Sequence, residues 1–215
     1  MIELVTFLGN VGSEYEKTRH NVAWLFAASF SFAETLSWQN KFRGNYVTIN
    51  SNTKNIIVRE SKSFNISENE TEYFCDANAK LFFLKPETFM NASGESIREL
   101  AKFYKIKTEN ILVVHDELEL PFGTVSVKFS GGLGGHNGLR STKENLGSAD
   151  FWRLRFGIGR PQFGDVANYV LSPFSHDEQN QLETIFTRAK EAFYKIIILK
   201  DAKPVIADWG KRKIL

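Results

Sequence analysis

The sequence predicts an α/β fold in which one twisted, mixed and largely parallel β-sheet is flanked by helices. Short apolar runs rich in β-branched residues alternate along the chain with longer segments of helical periodicity, as in strand–helix–strand units. The 215 residues are 42% hydrophobic and 24% charged, which is ordinary for a globular protein. Since this length suits one domain and the chain has no internal repeat, we expect residues 1–215 to form a single domain.

The first half of the chain predicts strands, one helix and a hairpin. Periodicity and apolar character place strands at 4–8 and 81–84, a helix at 21–36, and a hairpin formed by 45–49 and 54–59 around Ser51-Asn52. Residues 60–78 interrupt this pattern, because 60–76 holds five acidic residues and one lysine. We expect this acidic segment to be a surface insertion or the tip of a long hairpin.

The second half of the chain predicts further alternating elements. Residues 111–115 form the most strand-like run, continuous and β-branched, as expected for a strand covered on both faces. The remaining elements are strands at 124–129 and 154–158 and helices at 93–104, 139–146 and 177–200.

Charge distribution indicates a polyanionic partner more clearly than total charge does. The formal net charge is only +2, but residues 121–160 contain six basic and two acidic side chains. The C-terminal segment adds Lys211, Arg212 and Lys213. Clustered positive charge is typical of nucleic-acid binding, although a solvated basic face would have the same composition.

Other features of the sequence concern location. The single cysteine, Cys75, excludes an internal disulfide and argues against a cysteine zinc site. The N-terminus lacks the basic and apolar regions of a signal peptide, and no apolar run approaches the length of a membrane span. We therefore expect a cytoplasmic protein with no membrane partner.

A glycine-rich stretch at 131–138 is the strongest local signal. Its five glycines separate a predicted strand from a predicted helix and end at His136 and Asn137. Glycines permit positive φ and close approach of a ligand, so this arrangement favours a binding loop over a flexible linker. The stretch lacks the Lys-Ser/Thr ending of a phosphate-binding P-loop, and nothing else in the sequence predicts a nucleotide cofactor.

Polar residues also follow the other predicted strands. In open α/β sheets, ligands bind beyond the carboxyl ends of the strands, so these side chains are expected in one crevice. They are Asn10, His20, Asn91, Asp116, His136 and Asn137.

Among these, His20 is the strongest candidate for a general base, because an imidazole titrates near neutral pH. Asp116 could orient its ring and stabilise the imidazolium. No serine or cysteine accompanies a base, so attack by an activated water is favoured. His20-Asn21 could instead be a helix cap, and the neighbouring His115 a surface residue at a strand end. A metal site at His20, Asp116 and His136 would have no compact ligand spacing, so no metal is predicted.

Five motifs in order resemble bacterial peptidyl-tRNA hydrolase over nearly the whole chain. They are Leu8-Gly-Asn-Val-Gly12 with Thr18-Arg-His-Asn21, Pro86-Glu-Thr-Phe-Met-Asn91, Val114-His-Asp-Glu-Leu-Glu-Leu-Pro121, the 131–138 loop, and Phe151-Trp-Arg-Leu-Arg-Phe-Gly-Ile-Gly159. The resemblance implies hydrolysis of the ester between a peptide and the 3′ ribose of tRNA, without cofactor and by a monomer that contacts the acceptor stem and 3′ end.

The resemblance also implies roles for individual residues. His20 would be the base and Asp116 its partner, while Asn10 and Asn91 would hold the substrate and stabilise the oxyanion. The substrate-binding residues would be Tyr15, Met90, His136 and Asn137, and the residues binding the tRNA 5′-phosphate would be Lys128 and Arg155.

This chain departs from the family pattern at Val11, where relatives usually have proline, which predicts a less preorganised first loop. Two rival functions stay open at this point. One is a non-catalytic RNA-binding protein on the same fold, and the other is an unrelated metal-dependent hydrolase. Retention of His20, Asp116, Asn10 and Asn91 favours the esterase, because RNA binding alone needs none of them.

Overall fold

A computed structural model describes residues 1–161 and 163–215. The described residues form one eight-stranded sheet in the order β2-β3-β4-β1-β5-β7-β6-β8. The strands are β1 (Leu4–Phe7), β2 (Gln39–Lys41), β3 (Gly44–Thr48), β4 (Phe82–Pro86), β5 (Ile111–Glu117), β6 (Thr124–Phe129), β7 (Trp152–Gly157) and β8 (Arg212–Lys213). The central strands β4, β1, β5 and β7 run parallel, and the outer strands pair antiparallel. The predicted class, a mixed and largely parallel sheet flanked by helices, is confirmed.

Helices cover both faces of the sheet. They are α1 (Val22–Ala28), α2 (Ser51–Ser61), α3 (Glu68–Cys75), α4 (Ser93–Tyr104), α5 (Asn137–Leu146), α6 (Val166–Val170), α7 (His176–Ile198) and α8 (Lys203–Trp209). Helices α4 and α5 pack on one face and α1 and α7 on the other. Among the described residues, no helix has the length and apolar character needed to cross a bilayer.

Strand β5 explains how the two cores are separated. All seven of its residues are buried, and its side chains alternate between the two faces. Leu112 and Val114 enter the core under α1 and α7, whereas Ile111 and Val113 enter the core under α4 and α5. The continuous apolar run predicted a doubly covered strand, and this prediction is confirmed.

The predicted helix at 21–36 is wrong in length, because α1 ends at Ala28. The Ser29 hydroxyl donates to the carbonyl oxygen of Phe26 at 2.7 Å, a local bond that competes with helix continuation. The chain then turns, and Phe30 and Phe32 stack with ring centroids 5.0 Å apart. The aromatic residues therefore fill the core from a turn rather than from a continued helix.

The predicted hairpin is also wrong in its second strand. Residues 45–48 lie in β3 as expected, but residues 54–59 lie in α2. Asn50 caps this helix, since its Oδ1 accepts from the Thr53 N–H at 2.9 Å. β3 pairs with β4 instead.

The acidic segment is helical rather than the tip of a hairpin. Ser67 and Glu70 form a capping box that starts α3. Glu60 accepts a hydrogen bond at 2.5 Å from the hydroxyl of Tyr194 on α7, so this acidic residue ties α2 to the long helix. That the segment is an insertion stays a prediction.

Candidate active site

The polar side chains that follow the strands line one cavity of about 450 Å³. All six residues expected in a shared crevice are among its lining: Asn10, His20, Asn91, Asp116, His136 and Asn137. Most of the remaining wall is apolar and includes Met90, with Val166 and Leu171 from the α6 region, and Glu117 is also part of it. A concave site with apolar walls and a few convergent polar groups is typical of a substrate pocket.

His20 and Asp116 form the central pair of the cavity. His20 lies in the 3-10 turn Arg19–Asn21 that precedes α1, and Asp116 lies near the end of β5. The Nδ1 atom of His20 is 2.8 Å from Oδ1 of Asp116. When Nδ1 carries the hydrogen and donates it to the carboxylate, Nε2 is the unprotonated nitrogen available to a substrate.

Burial and the neighbouring charge act in opposite directions on this pair. Burial lowers the pKa of His20, but the charge of Asp116 and its hydrogen bond raise that pKa by more, so it lies above 6.5. Burial raises the pKa of Asp116, and the charges and hydrogen bonds of His20 and His136 lower it further than that. Asp116 is therefore an anion throughout the neutral range.

His136 is a second donor to the same carboxylate. Its Nε2 is 2.9 Å from Oδ1 of Asp116. Its Nδ1 accepts from the backbone N–H groups of Gly138 and Leu139, at 3.1 and 3.4 Å, and so caps α5. Because Nδ1 is an acceptor, Nε2 carries the hydrogen that Asp116 accepts. His136 Nε2 is thus a donor to Asp116 in this arrangement, and His20 holds the free ring nitrogen.

The three side chains also meet the distance condition for a metal site. One potential ligand atom from each of His20, Asp116 and His136 lies within 4.8 Å of the others. A cation would need the lone pair of His136 Nε2, yet that nitrogen carries hydrogen as long as Nδ1 accepts from α5. The hydrogen-bond pattern therefore favours proton transfer over metal coordination.

His115 corrects one expectation from the sequence, because it is fully buried rather than at the surface. Its Nδ1 contacts the carbonyl oxygen of Asp116 at 2.6 Å, and its ring packs edge-on against His136 with centroids 4.9 Å apart. Burial, together with the neighbouring His136 and Arg153, lowers the pKa of His115 well below 6.5. A neutral imidazole thus supports the ring of His136.

Asn10 is held by Asn21, a residue that sequence reasoning treated only as a helix cap. Asn21 Oδ1 accepts from the Asn10 N–H at 2.8 Å, and Asn21 Nδ2 donates to the Asn10 carbonyl at 2.9 Å. Asn10 Oδ1 in turn accepts from the Met90 N–H at 2.8 Å. This fixes the orientation of the Asn10 amide, with Nδ2 as its remaining donor.

The 131–138 loop is fixed from below by Arg153, which sequence reasoning counted only as a positive charge. Arg153 is 1% exposed. Its guanidinium donates to the carbonyl of Gly132 at 2.8 Å and to that of Ser130. The φ angles of Gly131, Gly134 and Gly135 are 89°, 59° and 75°, the region expected for glycine. The buried Arg153 guanidinium and the positive-φ glycines together position His136 and Asn137 at the cavity.

The other predicted site residues occupy different places. Met90 is buried, and Asn91 is exposed at the cavity in the 3-10 turn Met90–Ala92. Tyr15 does not line the cavity in the described part of the chain. Its carbonyl oxygen accepts from the Thr18 hydroxyl at 2.8 Å, which places it in the turn leading to His20. That Tyr15 binds substrate stays a prediction.

Lys128 and Arg155 lie outside the cavity in a cationic cluster on β6 and β7. Arg155 donates to Ser126 Oγ at 2.6 Å and lies 3.4 Å from a Glu117 carboxylate oxygen. Partial burial lowers the pKa of Lys128, and the charges of Arg153 and Arg155 lower it further. Three cations thus face one carboxylate, and an added anion would relieve their repulsion.

Comparison with known proteins gives a consistent result. Residues 4–214 match the family described as Peptidyl-tRNA hydrolase. The curated peptidyl-tRNA hydrolase of Treponema pallidum is 40% identical over 218 residues, covering 100% of this chain and 97% of the relative. That of Desulfitobacterium hafniense is 40% identical over 192 residues, covering 89% and 90%.

Comparison with solved structures identifies the same family as the sequence comparisons do. The crystal structure of peptidyl-tRNA hydrolase from Acinetobacter baumannii has a TM-score of 0.71 at 32% identity and covers 97% of this chain and 96% of its own. An arginine-to-glutamine mutant of that protein has a TM-score of 0.75 at 30% identity, covering 100% and 97%. With a family match over nearly its full length and relatives at 40% identity, this chain belongs to the peptidyl-tRNA hydrolase family.

Proposed function

We propose that this protein hydrolyses the ester bond between a peptide, or an N-blocked amino acid, and the 3′ ribose of tRNA. The observation that carries the proposal is the 2.8 Å contact between His20 Nδ1 and Asp116 Oδ1 at the wall of the cavity. It leaves the second ring nitrogen of His20 as a base beside a space large enough for the end of a peptidyl-tRNA. The family relationship supports the same substrate class.

The reaction proceeds through a water molecule held by His20. Nε2 of His20 takes a proton from the water, and the oxygen attacks the ester carbonyl carbon. The tetrahedral intermediate collapses as the bond to the ribose oxygen breaks, and the imidazolium returns the proton to that oxygen. The products are a tRNA with a free 3′-hydroxyl and a peptide carboxylic acid, which releases its proton to solvent and leaves as the carboxylate. Asp116 stabilises the imidazolium between these two transfers.

The asparagines supply neutral donors to the oxyanion. Because Asn10 Oδ1 is occupied by the Met90 N–H, Asn10 Nδ2 is the atom that can donate to the developing charge. Asn91 is the second proposed donor at the cavity. Asn137, at the start of α5, positions the peptide backbone and the water, and His136 and Met90 shape the adjoining wall.

Lys128 and Arg155 bind the 5′-phosphate of the tRNA in this proposal. They lie on adjacent antiparallel strands, next to the loop that delivers His136. Arg155 already has a weak carboxylate neighbour in Glu117, which holds the guanidinium in place without neutralising the cluster. We further propose that the protein acts as a monomer in the cytoplasm, where ribosomes generate peptidyl-tRNA.

Release of an N-acetylated amino acid from tRNA tests this function. We expect turnover by the unmodified protein, with no change on adding a chelator, and loss of turnover in His20→Ala. The matched control is His176→Ala, which removes an exposed histidine at the start of α7 and keeps turnover. Absence of turnover in the unmodified protein refutes the esterase and favours the RNA-binding alternative. Loss of turnover on chelation would instead favour a metal-dependent hydrolase.

A further inference from the structure

The C-terminal cations Lys211, Arg212 and Lys213 have no place in the proposed reaction. Strand β8 sets the direction of the Arg212 and Lys213 side chains, because it pairs antiparallel with β6 in a defined register. Lys213 lies opposite Thr124, and Arg212 lies opposite Val125. Residues directly opposite each other in an antiparallel pair point to the same face of the sheet.

The register places Lys213 on the face that carries the proposed phosphate site. In β6, Thr124 shares its face with Ser126 and Lys128, because side chains alternate with a period of two. Ser126 pairs with Arg155 in the register of β6 with β7. Lys213 therefore points to the same face as Lys128 and Arg155. Lys211 lies just before β8, two residues from Lys213.

Arg212 points the opposite way. Its guanidinium lies over the ring of the buried Trp209, 4.6 Å from the ring centroid. Its partner Val125 belongs to the core under α7, which also contains Trp209. Arg212 and Lys213 are thus adjacent and equally charged, but their side chains lie on opposite faces of the sheet.

A hydrogen-bond chain fixes this segment relative to Arg155. Ser126 Oγ accepts from Arg155 Nη2 at 2.6 Å and itself donates to the Gly210 carbonyl. Beyond β8, the Ile214 N–H donates to the Gly123 carbonyl at 2.8 Å. The backbone that carries the lysines is therefore anchored on both sides of them, and one anchor contacts the proposed phosphate-binding arginine.

The two lysines carry uncompensated charge. Both are exposed, and in residues 1–161 and 163–215 neither forms an ion pair. By contrast, Arg160 is paired with Glu119, and Arg155 has Glu117 beside it. Lysine ammonium groups on flexible stems suit phosphate backbones, which they bind as point charges.

We propose that Lys211 and Lys213 bind the phosphodiester backbone of the tRNA, next to the phosphate held by Lys128 and Arg155. The proposal rests on the proposed function, since it extends that RNA contact along the sheet edge. The charge complementarity and the continuous face identify an RNA backbone as the occupant. The lysines act on affinity for tRNA and take no part in ester cleavage.

The test compares Lys211→Gln/Lys213→Gln with Arg212→Gln. For each protein, KM is measured on N-acetylated aminoacyl-tRNA and on a minimal N-acetylated aminoacyl-adenosine ester, which lacks the backbone phosphates. We expect the ratio of the tRNA KM to the ester KM to rise on the order of tenfold at low salt in the double variant. The slope of log(kcat/KM) against log salt for tRNA should shrink by about one to two, because each phosphate contact contributes about 0.7 to 0.9.

Arg212→Gln removes a charge from the same segment but from the other face, so its KM ratio and salt slope should stay within about twofold of the unmodified protein. An unchanged ratio in the double variant overturns the proposal. An equal rise in Arg212→Gln also overturns it, because net charge would then explain the effect. Should the unmodified protein cleave neither substrate, the proposed function fails, and fluorescence anisotropy with labelled tRNA tests the lysines on binding alone. An unchanged Kd for tRNA in the double variant would then refute the proposed binding of tRNA by the two lysines.

Discussion

His136 donates its Nε2–H to Oδ1 of Asp116 at 2.9 Å, the same oxygen that contacts His20. One buried carboxylate oxygen thus organises two imidazoles whose ring centroids lie 5.1 Å apart. Its hydrogen bond to His20 sets which ring nitrogen of the base faces the substrate. The α5 cap at His136 Nδ1 connects this network to the glycine-rich loop.

Replacement of Asp116 with asparagine should reduce kcat severely while keeping the cavity shape. The amide cannot stabilise an imidazolium, and it permits the wrong tautomer of His20, so we expect a loss of about 10² to 10⁴ in kcat. Steady-state hydrolysis of N-acetylated aminoacyl-tRNA measures it. Activity within a few-fold of the unmodified protein would show that the pair does not carry the reaction.

The pH dependence of kcat/KM should follow the ionisation of His20. Neutral His20 is the active form, so activity is lost as the pH falls through its pKa. Burial lowers that pKa, but Asp116 raises it by more, so the midpoint of the acidic limb should lie above 6.5. In Asp116→Asn the residual activity should have a lower midpoint. A midpoint that does not move between the two proteins contradicts the assignment.

Asn21→Ala should affect catalysis through Asn10. The change removes two buried hydrogen bonds to the Asn10 backbone, at a cost of about 1–3 kcal/mol in the free energy of unfolding. Because the Asn10 amide loses its fixed position, kcat should fall by about tenfold or more, with a smaller change in KM. Asn52→Ala, at an exposed position of α2, serves as the control in denaturation and kinetic assays. Loss of stability with unchanged kcat would limit Asn21 to a structural role.

Arg153→Lys tests whether the guanidinium fork positions the glycine-rich loop. Lysine keeps the charge but cannot donate to both the Ser130 and Gly132 carbonyls with the same geometry. We expect faster hydrogen exchange in residues 131–136 and a kcat/KM lower by about tenfold. Arg140→Lys, at an exposed position of α5, is the matched substitution. Equal exchange in both variants would argue against the role of Arg153.

The elements predicted from periodicity correspond to the structure where one face or both faces of an element are apolar. β5 and α4 are such elements, because their patterns directly reflect burial. The predictions failed where a single side chain sets the local backbone. Asn50 starts a helix where alternation predicted a strand. Ser29 ends α1 before the predicted helix reaches Phe30 and Phe32.

The sequence predicted which residues line the site, but not the hydrogen bonds that hold those residues in place. Polar residues after parallel strands identify the cavity lining, because strand ends meet at one edge of the sheet. The roles of Asn21 and Arg153 depend on contacts between residues far apart in the chain, across 11 positions for Asn10 and Asn21 and 21 for Gly132 and Arg153. The glycines at 131–135 predicted a ligand-binding loop. The buried Arg153 guanidinium that holds this loop could not be predicted from the local sequence pattern, because it comes from another part of the chain.

Nitrogen-15 NMR of the His20 ring tests the central claim most directly, because it reports which nitrogen carries the proton. In the unmodified protein, at a pH above the pKa of His20, Nδ1 should remain protonated through its hydrogen bond to Asp116, and Nε2 should be unprotonated. The pKa read from Nε2 should lie above 6.5 and fall in Asp116→Asn. Protonation at Nε2 with a free Nδ1 would contradict the claim, since the basic nitrogen would then be directed at the carboxylate instead of the substrate.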